Sequence, residues 1–220
     1  MIGRTAATAS LVSLALLALG SAVAAGTAEL AGGLLTNGDF FASTSPWVHS
    51  NPVAGTMDYS GVDATDQVGS GSARITNHGP VASVGDDGFQ CVGGILPGET
   101  YLYGGKIHVV GNDERTGYAT VNMSFFGSSN CSTSPLGGSS TVRVLATVPG
   151  QFIAVTGPPT VAPAGTMAAS IQLHTLKYEA GLELQFLFDD VYLCGTDDAC
   201  ALYRGDFENG GTQGWSTTVW

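Results

Sequence analysis

Apolar residues alternate with polar ones along most of the chain after Leu34, and this pattern predicts β-strands. The clearest case is 118–126, where Ala119, Val121, Met123 and Phe125 share one face. Further strands are expected over 73–76, 101–110, 142–148, 152–156, 167–174 and 182–193. Turns such as Gly137-Gly138-Ser139 separate them, and no later window has a helical period capped at both ends. The pattern predicts an all-β fold, a jelly-roll β-sandwich of two antiparallel sheets.

The first 25 residues differ from the rest and have the features of an export signal. Arg4 supplies a positive charge, Leu11 to Leu19 form an apolar core, and Ala22-Val23-Ala24-Ala25 is a small-residue cleavage site. The apolar run is too short for a membrane span, and no other segment is long enough. We therefore expect residues 1–25 to be a cleaved signal peptide and the mature protein to be secreted or held at the cell surface, without membrane insertion.

Charge excludes some classes of partner. The formal net charge is −11, and it becomes −12 once Arg4 is removed, which leaves six basic residues. Such a chain repels nucleic-acid phosphates and anionic membranes, so nucleic acid is not an expected partner. Only 11% of residues are charged while 44% are hydrophobic, which is typical of a folded, turn-rich β protein rather than a disordered one.

The four cysteines predict disulfides, because an even number in an exported chain usually pairs. Three pairings are possible. We favour Cys91–Cys131 and Cys194–Cys200, since the second closes a short Gly-Thr-Asp-Asp-Ala loop. Zinc is the rival interpretation, but the sequence has neither a Cys-x-x-Cys pair nor clustered histidines.

Four motifs occur in the order found in a known family of modules. They are Asn37-Gly38-Asp39-Phe40 with Trp47 soon after, Ser70-Gly71-Ser72-Ala73, Pro97-Gly98-Glu99-Thr100-Tyr101, and Phe188-Asp189-Asp190-Val191-Tyr192-Leu193. On these motifs the chain resembles carbohydrate-binding modules of the CBM4/9 (CenC-like) type, in the galactose-binding-like jelly-roll superfamily. The resemblance implies one module over 26–194, a buried Trp47, and a polysaccharide or cell-surface glycan as partner. The leader and the resemblance together are typical of a bacterial protein.

The resemblance also implies a structural calcium ion where the first and last strands meet, with Asp39, Ser70 and Asp190 as ligands. Calcium takes six to eight oxygen ligands. The family usually has an acid after its opening motif, whereas this chain has Phe41. The alternative is that Asp39 caps a turn and Asp190 is a solvated acid at a strand end. The run Asp86-Asp87-Gly88 is expected to be another acidic loop.

The strand faces opposite the apolar ones carry amides, imidazoles and hydroxyls, which are the groups that fix sugar hydroxyls. If these strands share one sheet, they form one glycan-binding surface. Its predicted residues are Lys106, His108, Tyr118, Thr120, Asn122, Gln172, His174, Glu183 and Gln185. The alternative is an ordinary solvated outer face, which every sandwich has.

Catalysis has weaker support in the sequence. A glycosidase needs two carboxylates across a cleft, and only Glu183 lies within the polar face. There is no Gly-x-Ser-x-Gly elbow, and the four histidines are scattered singly. We therefore expect a non-catalytic protein that binds a neutral glycan. A structural or adhesive protein with the same fold is the alternative, and a remote glycoside hydrolase is a third.

Residues 195–220 are expected to form a C-terminal tail with the Cys194–Cys200 loop at its start. The tail repeats part of the opening motif as Gly205-Asp206-Phe207-Glu208, followed by Trp215. Two interpretations stay open for it: a docking or sorting tag, or a strand that packs onto the domain.

Overall fold

The computed structural model describes residues 33–79, 85–110, 117–147, 150–180 and 183–196. The predicted signal peptide, the tail beyond residue 196 and Cys200 lie outside these ranges. Within them the chain forms twelve strands and no helix, and every strand pairing is antiparallel. The predicted all-β sandwich of two antiparallel sheets is confirmed. None of the described segments is a helix with the length and apolarity of a membrane span.

Each sheet contains six strands. The strands are β1 (Val48–His49), β2 (Gly55–Ser60), β3 (Ser72–Asn77), β4 (Gly85–Gly93), β5 (Thr100–Val109), β6 (Gly117–Phe126), β7 (Pro135–Ser140), β8 (Val144–Leu145), β9 (Phe152–Thr156), β10 (Thr160–Val161), β11 (Ala168–Lys177) and β12 (Leu184–Gly195). Sheet A has the order β1-β4-β11-β6-β7, with β8 also paired to β6. Sheet B has the order β10-β5-β12-β3-β2, with β9 also paired to β5.

The core lies between the two sheets. On β6 the predicted apolar face, from Ala119 to Phe125, is completely or almost completely buried. Sheet B contributes Ile107, Phe186 and Phe188, which are fully buried. Each large apolar side chain removed from water contributes about 1.5–3 kcal/mol, so the alternating pattern fixes which face of each strand points inward.

The opening motif forms a turn that the side chain of Asn37 holds together. Its Nδ2 donates to the carbonyls of Ser43 at 2.9 Å and Ser45 at 2.7 Å, and its Oδ1 accepts from the Phe41 N–H at 2.6 Å. The indole N–H of Trp47 donates to the Asn37 carbonyl at 3.0 Å. Asn37 itself has a φ of 53°, a conformation that asparagine tolerates better than most residues. Trp47 is 5% exposed, which confirms its predicted burial.

The opening and closing motifs meet, as the resemblance implies. The Val191 N–H donates to the Gly38 carbonyl at 2.8 Å, and the Leu34 N–H donates to the Leu193 carbonyl at the same distance. A Cβ atom on Gly38 would lie 2.0 Å from the Val191 carbonyl oxygen, so only glycine allows this approach. The first segment of the described chain is thereby tied to the last strand.

Two predicted loops are strands instead. Asp86-Asp87-Gly88 lies in β4, where histidines on the flanking strands pair with both carboxylates. Gly137-Gly138-Ser139 lies in β7. A Cβ atom on Gly138 would lie 2.2 Å from the Met123 carbonyl oxygen, so these glycines allow β7 to approach β6 closely. The predicted strand 142–148 is reduced to β8.

Candidate functional site

The nine predicted glycan-binding residues divide between the two sheets. Sheet A carries Tyr118, Thr120, Asn122, Gln172 and His174, and sheet B carries Lys106, His108 and Gln185, with Glu183 just before β12. The prediction that all these strands share one sheet is therefore wrong. The physical reason is that alternation determines which face of a strand is apolar, whereas strand partners depend on long-range pairing. Here β5 pairs with β12, while β6 pairs with β11.

On sheet B the predicted residues already contact one another or neighbouring side chains. Lys106 Nζ lies 2.8 Å from an Asp190 carboxylate oxygen, and the His108 ring packs on Phe152 with centroids 5.1 Å apart. Burial lowers the pKa of His108. The Gln185 amide donates to the Glu183 carboxylate. These contacts engage Lys106 and Gln185 within the protein itself, whereas the buried Nδ1 of His108 has no hydrogen-bond partner among the described residues.

On sheet A a row of polar side chains crosses four strands. Gln172 of β11 stands opposite Asn122 of β6 and, on its other side, opposite Phe89 of β4. Asn122 in turn stands opposite Ser140 of β7. The row from Phe89 to Ser140 spans three strand spacings, about 14 Å. We call the outward surface built on this row the polar face.

The polar face contains a shallow groove of about 340 Å³ over β6, β7 and β11. Its polar lining includes Asn122, Ser124, Ser140 and Gln172. This volume lies at the lower end of the range found for small-molecule sites. The lining is uncharged, so it offers hydrogen-bond donors and acceptors without the desolvation cost of ions.

Two buried polar atoms of the polar face lack a hydrogen-bond partner in the described parts of the chain. They are Asn122 Oδ1, which lies at the groove, and Ser170 Oγ, which lies beside it. Ser170 stands opposite Ser124 in the β11–β6 register, so it lies one row from Gln172 on the same face. A buried polar atom without a hydrogen bond costs about 1–3 kcal/mol. A ligand hydroxyl that reaches either atom removes this cost.

Aromatic and charged side chains cluster at one end of the polar face. The His174 imidazole pairs with the Asp87 carboxylate across β11 and β4. The Tyr118 ring lies 6.1 Å from His174 and 5.8 Å from Tyr178, measured between ring centroids. The Arg143 guanidinium carbon lies 4.4 Å from the Tyr118 ring centroid, within cation–π range.

A disulfide closes the other end of the polar face. Cys91 of β4 bonds Cys131, which confirms this predicted pairing. Cys91 stands opposite Ser170, so the bridge anchors the loop after β6 beside the groove floor. Cys200 lies outside the described residues, and the Cys194–Cys200 pairing stays a prediction.

A second histidine–aspartate pair lies below the polar face. His49 Nε2 lies 2.7 Å from Asp86 Oδ1, and Asp86 is fully buried. Burial raises the pKa of Asp86, although the hydrogen bond and charge of His49 act in the opposite direction. The pair joins β1 to β4, and we assign it a structural role.

The residues predicted to bind calcium lie close together but are engaged with each other. Ser70 Oγ donates to the Asp39 carbonyl at 2.7 Å, and Asp190 is paired with Lys106. Burial raises the pKa of Asp39, and the negative charges of Asp190 and Asp63 add to the shift. In the described ranges, no three His, Cys, Asp or Glu side chains are grouped to hold a metal. Neither contact engages the Asp39 carboxylate, and the ion stays a prediction.

The carboxyl of Asp189 is the most strongly perturbed acid at this end of sheet B. It is fully buried, and it accepts hydrogen bonds from the N–H groups of Ala64 at 2.8 Å and Asp190 at 2.7 Å. Burial raises its pKa to about 8, and the nearby charges of Asp190 and Asp63 act in the same direction.

Three residues of the polar face lie outside the strands and the site that the sequence predicts. The sequence predicts a loop at Asp87 and no element at Phe89 or Ser140. Along β4, Asp87, Phe89 and Cys91 lie on the outward side, and Gly88, Gln90 and Val92 lie on the inward side. This two-residue alternation is the signal in the sequence that points to the outward residues. Gln90 is buried, and its side-chain amide exchanges hydrogen bonds with the backbone of Thr36. Because this inward residue is polar, the alternation of β4 is hard to recognise in the sequence.

No protein-family model and no curated protein sequence matches the chain. Solved structures do share its fold. The enzymatically active domain of tailspike protein 4 of bacteriophage CBA120 is 14% identical, with a TM-score of 0.54 over 74% of this chain and 21% of that one. The arabinose-bound GH51 α-L-arabinofuranosidase MgGH51 is also 14% identical, with a TM-score of 0.51 over 76% of this chain and 27% of that one.

The carbohydrate-binding module TmCBM61, solved with β-1,4-galactotriose, has a similar fold as well. It is 20% identical, with a TM-score of 0.48 over 74% of this chain and 98% of that one. The chain thus spans about a fifth of the tailspike chain and about a quarter of the arabinofuranosidase chain. The likeness to the tailspike and arabinofuranosidase chains shows a shared β-sandwich fold, and the CBM4/9 type stays a prediction.

Proposed function

We propose that this protein is an exported, non-catalytic carbohydrate-binding protein that holds a glycan on the polar face of sheet A. The observation that carries the proposal is the register of Ser140, Asn122, Gln172 and Phe89 across four neighbouring strands. It aligns one hydroxyl, two amides and one aromatic ring on a single surface. This is the mixture of polar and apolar groups by which proteins hold sugars.

The chemistry of the groove favours a glycan over other ligands. Its lining of amides and hydroxyls matches the alternating hydroxyls of a sugar, and the unpartnered Asn122 Oδ1 and Ser170 Oγ supply acceptors. Phe89 supplies an apolar surface for sugar C–H groups at one end of the row. A row of about 14 Å suits an oligosaccharide better than a single sugar.

The placement of two acids in the described ranges favours binding over hydrolysis. Glu183, the acid that the sequence placed within the polar surface, lies next to β12 and therefore belongs to sheet B. Asp87, the acid that does lie on the polar face, is paired with His174. We therefore propose binding without cleavage, and secretion to the extracellular space or cell surface through the leader.

The test is a glycan array probed with the mature protein, followed by affinity electrophoresis in gels that contain the best ligand. We expect the protein to be retarded and Asn122→Ala to remove the retardation while its thermal unfolding stays unchanged. If no glycan binds, the structural or adhesive alternative is favoured. Release of reducing sugar from a bound glycan by the wild-type protein would contradict the non-catalytic part of the proposal.

A further inference from the structure

The basic residues of the described chain are few, and their placements differ. Lys106 pairs with Asp190, Arg74 donates to Ser60 Oγ at 3.3 Å, and Lys177 is 2% exposed. Arg143 is the exposed one of these four. It forms no hydrogen bond or ion pair with any residue in the described ranges, although the protein has 18 acidic residues.

The position of Arg143 is fixed by the strand that follows it. Leu145 and Val144 of β8 stand opposite Tyr118 and Ala119 of β6. Val144 is buried with Ala119, so Leu145 and Arg143 project on the same side as Tyr118. The guanidinium lies over the Tyr118 ring at 4.4 Å. The ring contact holds the cation in place and leaves the guanidinium N–H donors available to a ligand.

Arg143 belongs to the polar face but lies away from the groove floor. Tyr118 precedes Asn122 by four residues on β6, which corresponds to about 13 Å along the strand. A group that reaches Arg143 is therefore not the sugar that sits on Asn122. It belongs to a neighbouring sugar or to a side substituent of the same glycan.

The net charge of the protein and the single cation at Arg143 together favour a glycan that carries few negative charges. The net charge of −11 disfavours a polymer with an acid on every sugar, because its many charges would be repelled together. A glycan with a single anionic group at Arg143 avoids most of this repulsion, since salt screens charges that lie more than about 8 Å apart. Asp87, an acid on the same face, is paired with His174, so it competes less for the guanidinium.

We propose that Arg143 is a specificity-determining residue that binds an anionic substituent, a uronate carboxylate or a sulfate half-ester, on an otherwise neutral glycan. The inference rests on the proposed function, because it places the substituent on a glycan that the polar face holds. Arginine suits this role, since its planar fork of donors matches both carboxylate and sulfate oxygens.

The test uses matched polymers in affinity electrophoresis. One pair is glucuronoxylan and the same polymer with its carboxyl groups reduced to alcohols, and the other is a sulfated galactan and its desulfated form. We expect the wild-type protein to prefer one anionic member over its neutral partner by about fivefold at low salt. The pair that shows the preference identifies carboxylate or sulfate as the substituent.

Variants at Arg143 separate this inference from the proposed function. Arg143→Gln should abolish the preference, measured as the ratio of retention by the anionic polymer to retention by its neutral partner, and Arg143→Lys should restore part of it. Because Arg143 is exposed, an unchanged unfolding midpoint checks that the variants are folded. If the wild type shows no preference in either pair, or if Arg143→Gln retains it, the inference is overturned. Neutral glycans bound on the array would still support the proposed function in that case.

Discussion

Gln172 of β11 stands directly opposite Asn122 of β6, and both side chains line the same groove. This pair places two planar amides side by side on the outer face of sheet A. Phe89 extends the row on one side and Ser140 on the other. The pair therefore forms the centre of the surface to which we assign glycan binding.

The bridge between Cys91 and Cys131 should contribute strongly to stability. It joins residues separated by 40 positions, and restricting the unfolded chain over a loop of this length is worth up to about 4 kcal/mol. We expect the double variant Cys91→Ser/Cys131→Ser to lose a large part of this free energy of unfolding in urea titrations. Both cysteines are only half-buried, so serine fits at each position. An unchanged urea midpoint would contradict the prediction.

The ion pair of Lys106 and Asp190 should show coupling in a double-mutant cycle. Each side chain is 17% exposed, so Lys106→Met leaves a poorly solvated carboxylate near Asp39 and should cost about 1–3 kcal/mol. Asp190 has a φ of 48°, which asparagine also tolerates, so Asp190→Asn removes the charge without straining the backbone. The double variant should be destabilised by less than the sum of the single variants. Additive losses would show that the pair does not interact energetically.

The buried carboxyl of Asp189 predicts a pH dependence of stability. Its folded pKa of about 8 lies above its ordinary value of 3.8, so folding favours the protonated form. That contribution is complete below pH 3.8 and is lost as the pH rises through about 8. The free energy of unfolding should fall by roughly 1 kcal/mol between pH 7 and pH 9.

The matched variant for this prediction is Asp189→Asn, which cannot ionise. The urea midpoint of this variant should change less with pH than that of the wild type over the same pH range, measured with chelator present. Equal slopes for the two proteins would rule out Asp189 as the titrating group.

The resemblance predicts that calcium raises the unfolding midpoint. The comparison is between protein treated with chelator and protein to which calcium is then added. A rise that Asp39→Asn abolishes would confirm the ion, because Asp39 is one of its predicted ligands. An unchanged midpoint would contradict the calcium prediction and leave Lys106 as the cation that balances Asp190.

The sequence predicted the faces of strands better than their partners. The alternation at 118–126 identified the buried face of β6 and the more exposed positions of Tyr118 and Asn122, although Thr120 on their side of the strand is buried as well. It did not show that Lys106 and His108 belong to the other sheet, since pairing depends on contacts far apart in sequence. Which strands pair with each other depends on the whole chain, so the residue pattern of a single strand does not predict its neighbours in the sheet.

Strand β4 was missed for a different reason. Two adjacent aspartates and two glycines are depleted in strands, so local propensity favours a loop there. The structure compensates for the two charges with His49 and His174, which come from the two strands that flank β4. Such compensation becomes visible only when the neighbouring strands are known.

The most direct test of the account compares Gln172→Ala with Gln185→Ala. Each variant removes one glutamine amide, the first from the groove of sheet A and the second from sheet B. Both positions are half-buried. Dissociation constants for the best array glycan, measured by titration calorimetry, should rise at least about tenfold for Gln172→Ala and stay within about twofold for Gln185→Ala. An unchanged affinity for Gln172→Ala, or a loss confined to Gln185→Ala, would contradict glycan binding on the polar face.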